Sequence, residues 1–276
     1  MTQIIDSHVH FWDSAQLEYF WLTPSEDQWL RQTHLPATLE PQRQVAGVTG
    51  GVYVQASHDP RESAWALELA ADSPWIRGVV GWLDLTADSL EPQLLPLLRN
   101  QLFKGARHLT HAIADPEWLL RADVGRGLSR LETHRLSFDL VLNPSQLRIA
   151  ARVVSAFPQL QFVLDHLGNP PFDDQHQRWV DDLRRLAQLP NLSAKVSGLL
   201  TRLPADQPLE HLRQTAAFAF DEFGAERLMY GSDHPVSAVK SPYTATLTTI
   251  RQALPPLEAD AANAFWSGTA SRVYGL

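Results

Sequence analysis

With 276 residues, 44% of them hydrophobic and 20% charged, the chain can bury a sizeable core and lies outside the composition of disordered proteins. Its formal net charge of -8 argues against a surface for nucleic acid or another polyphosphate, which needs clustered Lys and Arg to replace counterions. Without cysteine there are no disulfides, thiolate nucleophiles or Cys-rich metal knots, so metal ligation falls to His, Asp and Glu.

The chain reaches Asp6 after five residues, which leaves no apolar signal-peptide core, and it nowhere runs 18 apolar residues together. A cytosolic protein with no membrane span is the expectation. The first apolar run, QIIDSHVHF (3–11), reads as a strand carrying His8 and His10. Residues i and i+2 of a strand share a face, so the two imidazoles converge. Residues 14–46 follow, too long for one loop and one helix, and are expected to carry a lid insertion.

Further apolar runs come at GGVYVQAS (50–57), IRGVVGWLDL (76–85), FKGARHL (103–109), LSFDLVL (136–142), LQFVLDHLG (160–168), NLSAKVSG (191–198) and RLMYGSD (227–233). Helical segments separate them. In DPRESAWALELAADSP, Asp59 suits a cap and Ala64, Leu67 and Ala71 share a face. In NPSQLRIAARVVSAFPQ, Pro144 suits a first helical position, Leu147, Ala151 and Val154 share a face, and Pro158 ends the run. DPEWLLRADVGRGLSRLETH and DDQHQRWVDDLRRLAQLP supply two more helices. Eight near-continuous apolar strands alternating with helices predict an α/β fold, a single (β/α)₈ TIM barrel spanning 1–276 as one domain.

In such barrels the chemistry sits at the C-terminal ends of the strands, and the unusual polar residues collect there. Strand one ends in His8 and His10, strand four in Arg107 and His108, and strand six in Asp165 and His166. Strand seven carries Lys195, and strand eight runs into Asp233 and His234. An ionisable side chain inside a barrel is costly unless it is paired or coordinated, so several at one end mark a site, although His8 and His10 alone would also suit a hydrogen-bonded core pair. Alternation assigns Arg107 to the pocket with His108 turned away, and His166 to the pocket with Asp165 turned outward in a structural role. His58, His111, His134, His176 and His211 read as surface residues, and His34 as one that the lid brings toward the mouth.

DSHVHFW on the first strand, LDHLGNPP after the sixth and YGSDHP closing the eighth together resemble the amidohydrolase superfamily. YVQAS, GVVGWLDL, KGARHL, FVLDHLGNPP and LMYGSDHPV are similar to its branch of sugar-lactone and pyrone-dicarboxylate lactone hydrolases, and the likeness covers the whole chain. The resemblance implies Asp233 as catalytic acid/base, with His8 and His10 facing the reacting carbonyl or a metal. His166 would support the same group, and Arg107 would contact substrate. Two departures argue against a binuclear centre: strand four brings no bridging lysine or glutamate, and strand five, SFDLVL, brings no histidine. Either one divalent ion, zinc, on His8, His10 and Asp233, or a metal-independent site, fits the resemblance.

The expected reaction is hydrolysis of a sugar-derived aldonolactone of the fucono-, rhamnono- or galactono- type. Arg107, Lys195 and His234 would bind its hydroxyls, and Trp12 or Trp82 would cover its apolar face. A pocket with one or two cations suits a neutral lactone better than a dicarboxylate. Two rival functions are a metal-dependent decarboxylase on the same barrel, whose pattern adds the missing strand-five histidine, and a non-catalytic barrel that binds sugar acids.

Overall fold

In the computed structural model, which describes residues 3–206 and 208–276, eight parallel strands form one sheet in chain order. They are β1 (Ile4–Val9), β2 (Val48–Val54), β3 (Ile76–Gly81), β4 (Phe103–His108), β5 (Ser137–Leu140), β6 (Gln161–Leu164), β7 (Leu192–Val196) and β8 (Leu228–Tyr230). The ring is completed just past β8, where the His10 amide donates to the His234 carbonyl at 2.7 Å and the Asp233 amide donates to the His8 carbonyl at 2.8 Å. The (β/α)₈ barrel expected from the alternating pattern is therefore the fold. No helix among the described residues is long and apolar enough to cross a membrane.

The helices α1 (Pro36–Ala46), α2 (Glu62–Ala71), α3 (Glu91–Leu98), α4 (Ala122–Thr133), α5 (Leu147–Ala156), α6 (His176–Ala187), α7 (Pro208–Phe223) and α8 (Tyr243–Ala253) lie between and after the strands. Two short helices, α9 (Ala259–Asn263) and α10 (Thr269–Tyr274), end the chain. Ile5, Val52, Val54, Val80, Val163 and Met229 fill the barrel interior, where Ala270 and Tyr274 of α10 pack against them. The larger core lies between strands and helices.

Two helix faces differ from the sequence reading. Ala64 and Ala71 are exposed on α2, whose buried stripe holds Glu62, Ser63, Ala66, Leu67 and Ala70. The reason is Glu62, whose Oε1 accepts bonds from the Tyr53 hydroxyl at 2.9 Å and the Ala56 and Ser57 amides at 2.6 and 2.8 Å, which turns that edge of the helix inward. On α5 the stripe runs through Leu147, Ala150, Val153 and Val154, with Ala151 half-buried beside it.

Within 14–46, residues 36–46 are simply the crossover helix α1, so only residues 14–35 are additional. Tryptophan N–H groups tie this segment to the barrel and to itself. Trp21 donates to the Ala56 carbonyl at 2.7 Å, Trp29 to that of Pro235 at 3.0 Å, and Trp12 to that of Gln32 at 2.9 Å.

Candidate active site

The register of β1 against β2 shifts between Asp6 and Val9. Ile5 faces the barrel interior, and His8, three residues on, faces it too, which strict alternation forbids and a bulge permits. Beyond the bulge His10 shares the face of His8, and their Nε2 atoms are 3.0 Å apart. His10 donates from Nδ1 to the Val54 carbonyl at 2.6 Å, which leaves its Nε2 a lone pair. Burial holds both imidazoles below their ordinary pKa, His8 most strongly, so both are neutral at pH 7.

Asp233 comes to the same point from beyond β8. Its Oδ1 is 3.4 Å from His10 Nε2, 3.7 Å from His8 Nε2 and 3.9 Å from His166 Nε2. Burial raises the Asp233 carboxyl, but attraction to the His166, His10 and His8 rings, which take up protons in acid, outweighs it and holds the group well below the usual carboxylate range. Asp233 has φ 58 and His166 φ 56, a left-handed backbone that non-glycine residues adopt at a cost and that concentrates at functional sites. The His166 ring is held through Nδ1 by Ser197 Oγ at 2.8 Å. Gly198, next in chain, has φ 65, and a Cβ there would fall 2.6 Å from His166 Nδ1 and 2.9 Å from Asp233 Oδ2. Only glycine lets the β7 loop pass this close.

On β6 the alternation runs opposite to the sequence reading. Val163 and Asp165 both face the interior, and His166 joins them because the chain turns left-handed there, so Asp165 belongs to the site's foundations. Its Oδ2 accepts from Arg107 Nη1 at 3.0 Å, and its Oδ1 lies 3.0 Å from Lys195 Nζ and 3.2 Å from His8 Nδ1. Burial raises Asp165, but Lys195, His8 and Arg107 reverse the effect and keep it ionised. Arg107 faces the cavity as expected and is also bound by the side-chain and backbone oxygens of Gln55, while His108 turns away to the Leu83 carbonyl.

A cavity of about 270 Å³ opens above these groups, lined by His10, Arg107, His166 and Asp233 at its base, by Trp12, and by Phe20, Trp21, Glu26 and Leu30 from residues 14–35. Three residues expected to bind substrate lie elsewhere. Lys195 is wholly buried beneath His8, bound to Asp139 at 2.6 Å, because β7 carries it on the interior face a layer below the mouth. The His234 ring packs among Trp29, His34 and Tyr243, and burial lowers its pKa to about 3. The Trp82 ring lies tilted against those of His58 and His108, outside the cavity lining. His34 is buried, bonded to the Trp29 carbonyl at 2.8 Å, and also stays out of the cavity.

The cavity wall also holds Asn169, His111 and Arg202, none of which the sequence reading assigned to the site. His111 and Arg202 follow predicted strand ends by a few residues, and that position on a barrel's catalytic face is the signal that finds them.

His8, His10 and Asp233 form a buried group whose ligand atoms lie within 4.8 Å of one another. Two imidazoles and a carboxylate are a donor set zinc accepts, and their separations of 3.0, 3.4 and 3.7 Å bracket the roughly 3.3 Å of tetrahedral ligands on bonds of about 2.0–2.1 Å. The donor set therefore fits one divalent ion.

The sequence model of the amidohydrolase family matches residues 5–276. The chain belongs to the amidohydrolase family. This amidohydrolase is 34% identical to the L-fucono-1,5-lactonase of Burkholderia multivorans over 287 residues, covering 99% of the chain and 96% of that protein. It is also similar to crystal structures of an amidohydrolase from Burkholderia multivorans, one with bound HEPES (TM-score 0.92) and one with bound zinc (TM-score 0.90). In each case the identity is 34% and the match covers 99% of both chains.

Proposed function

We propose that this amidohydrolase is a lactone hydrolase that opens a sugar-derived aldonolactone of the fucono-, rhamnono- or galactono- type to the aldonic acid. The observation that carries the reading is the convergence of His10, His166 and Asp233 at the base of a cavity of about 270 Å³, a volume for one small ring and its substituents, with His8 directly behind them. Full-length similarity to the L-fucono-1,5-lactonase of Burkholderia multivorans supports the choice of sugar lactone.

Opening a lactone needs an activated water, a stabiliser for the tetrahedral oxyanion and a proton donor for the leaving alkoxide. Asp233, ionised at neutral pH, takes the proton of the attacking water and returns it to the ring oxygen. His166 and the Arg107 guanidinium, both lining the cavity, provide the hydrogen-bonding field for the oxyanion. A zinc ion held by His8, His10 and Asp233 would add Lewis-acid polarisation of the carbonyl. Trp12 and Trp21 on the wall suit the apolar face of a sugar ring, and residues 14–35 act as its cover.

The test is acid release from a panel of aldono-1,4- and 1,5-lactones, followed with a pH indicator, beside carbon dioxide release from carboxylated aromatic acids. Lactone opening is expected. Carbon dioxide release without acid release would favour the decarboxylase reading.

A further inference from the structure

Glu26 belongs to the additional segment 14–35, and it lines the cavity together with Trp12, Phe20, Trp21 and Leu30. An anchor on either side of it ties the segment to the barrel: Trp21 Nε1 donates to the Ala56 carbonyl at 2.7 Å and Trp29 Nε1 to the Pro235 carbonyl at 3.0 Å. Between the anchors the Glu26 amide donates to the Thr23 carbonyl at 3.0 Å. The half-buried carboxylate has no hydrogen bond and no ion pair among the described residues.

The charges around the cavity give that carboxylate its weight. Arg107 is matched by Asp165 at 3.0 Å behind the lining. Of the other acidic and guanidinium side chains the lining keeps Asp233, Glu26 and Arg202, two carboxylates against one cation, and the field of Asp233 reaches Arg202. Glu26 is therefore the charge without a counterpart. Its apolar and aromatic neighbours displace water, so its field is less screened than on an open surface.

An ionised carboxylate only accepts hydrogen bonds. A ligand that meets Glu26 must bring donors, which the hydroxyls of an uncharged ring supply and a carboxylate does not. We infer that Glu26 is the specificity-determining residue of this cavity, accepting from the hydroxyls of a neutral ring and turning away a ring that carries a carboxylate of its own. The discrimination is electrostatic, a repulsion built against the wrong ligand beside the bond offered to the right one. It has a second effect in turnover. Opening a neutral lactone creates an anion inside the cavity, so the same charge weakens the hold on the aldonate product. That second effect rests on the lactonase reading proposed above, whereas the preference for uncharged ligands does not.

The experiment compares wild type with Glu26→Gln, which keeps the shape and removes the charge. The substrates are an aldono-1,4-lactone and the aldaro-1,4-lactone of the same sugar, whose terminal alcohol is replaced by a carboxylate. Wild type is expected to favour the neutral lactone in kcat/KM, and the variant to lose about fivefold or more of that preference through a lower KM for the anionic one. In wild type the preference should also shrink as ionic strength rises from about 0.01 M to about 1 M, where the Debye length falls from about 30 Å to about 3 Å. A residue that acts only by its shape would not respond to salt. An unchanged preference in the variant, or one indifferent to salt in wild type, would overturn the inference. Calorimetric titration with the aldonate, which is not consumed, decides the matter without turnover. Glu26→Gln should bind it several-fold more tightly, and equal or weaker binding, or binding by neither protein, would overturn the inference as well. A wild type that opens no sugar lactone, beside a variant with tighter aldonate binding, would sink the lactonase reading and leave this one standing.

Discussion

Asp233 Oδ1 lies 3.4 Å from His10 Nε2, a meeting of the two ends of the sheet where β8 closes onto β1. In the proposed reaction this carboxylate moves the proton of the attacking water, so Asp233→Asn should lower the rate of lactone hydrolysis at least 100-fold. His166→Asn should do likewise by removing one group from the oxyanion's environment. Circular dichroism must show the fold kept. Near-normal turnover in either variant removes that residue from the mechanism.

Gly198 separates the β7 loop from the His166 and Asp233 side chains by the width of a missing methyl. Gly198→Ala forces a left-handed alanine and pushes His166 and Asp233 out of place, a strain of about 1 kcal/mol or more. The measurable result is a fall in kcat of about tenfold or more. A fully active Gly198→Ala enzyme would show that the loop has slack that the 2.6 Å approach denies.

Glu62 gives a prediction for stability. Burial raises its pKa to about 8, ahead of the opposing bonds from Ala56, Tyr53 and Ser57, so the folded protein keeps the group protonated near neutrality while the unfolded chain ionises it from about 4.5 upward. Unfolding then releases a proton, and stability falls as pH rises from about 4.5 to about 8. Glu62→Gln cannot ionise, so the difference in unfolding free energy between wild type and variant should shift against the wild type across that range, by an amount on the order of a few kcal/mol. A pH-independent difference contradicts the assignment.

Arg202 stands on the cavity wall after β7, where the field of Asp233 reaches it without a direct ion pair among the described residues. A contact there is made equally with bound substrate and transition state. Arg202→Ala should therefore raise KM several-fold with kcat nearly unchanged. A matching fall in kcat would move Arg202 into the chemistry.

The sequence carries the barrel because its strands are buried on both faces and so stand out as apolar runs between amphipathic helices. His8, His10, Arg107, His166 and Asp233 were legible because polar residues at the ends of such strands are conspicuous. Asp165 was not, because the left-handed turn at His166 breaks the alternation on which its direction was judged. Lys195 was legible as an interior residue but not in depth, since nothing in LSAKVSG tells the mouth from the layer beneath it. The tryptophans mislead in the same way: Trp21 reaches the cavity because residues 14–35 supply part of its wall, while Trp82, nearer a strand end, lies tilted against His108 outside it.

The most direct measurement is the initial rate of acid release from aldono-1,5-lactones with purified protein, corrected for spontaneous opening and repeated with Asp233→Asn. Rapid opening of at least one sugar lactone by the wild type is expected, with a rate in the variant reduced at least 100-fold. Spontaneous rates for every sugar lactone, or equal rates for the two proteins, would contradict it.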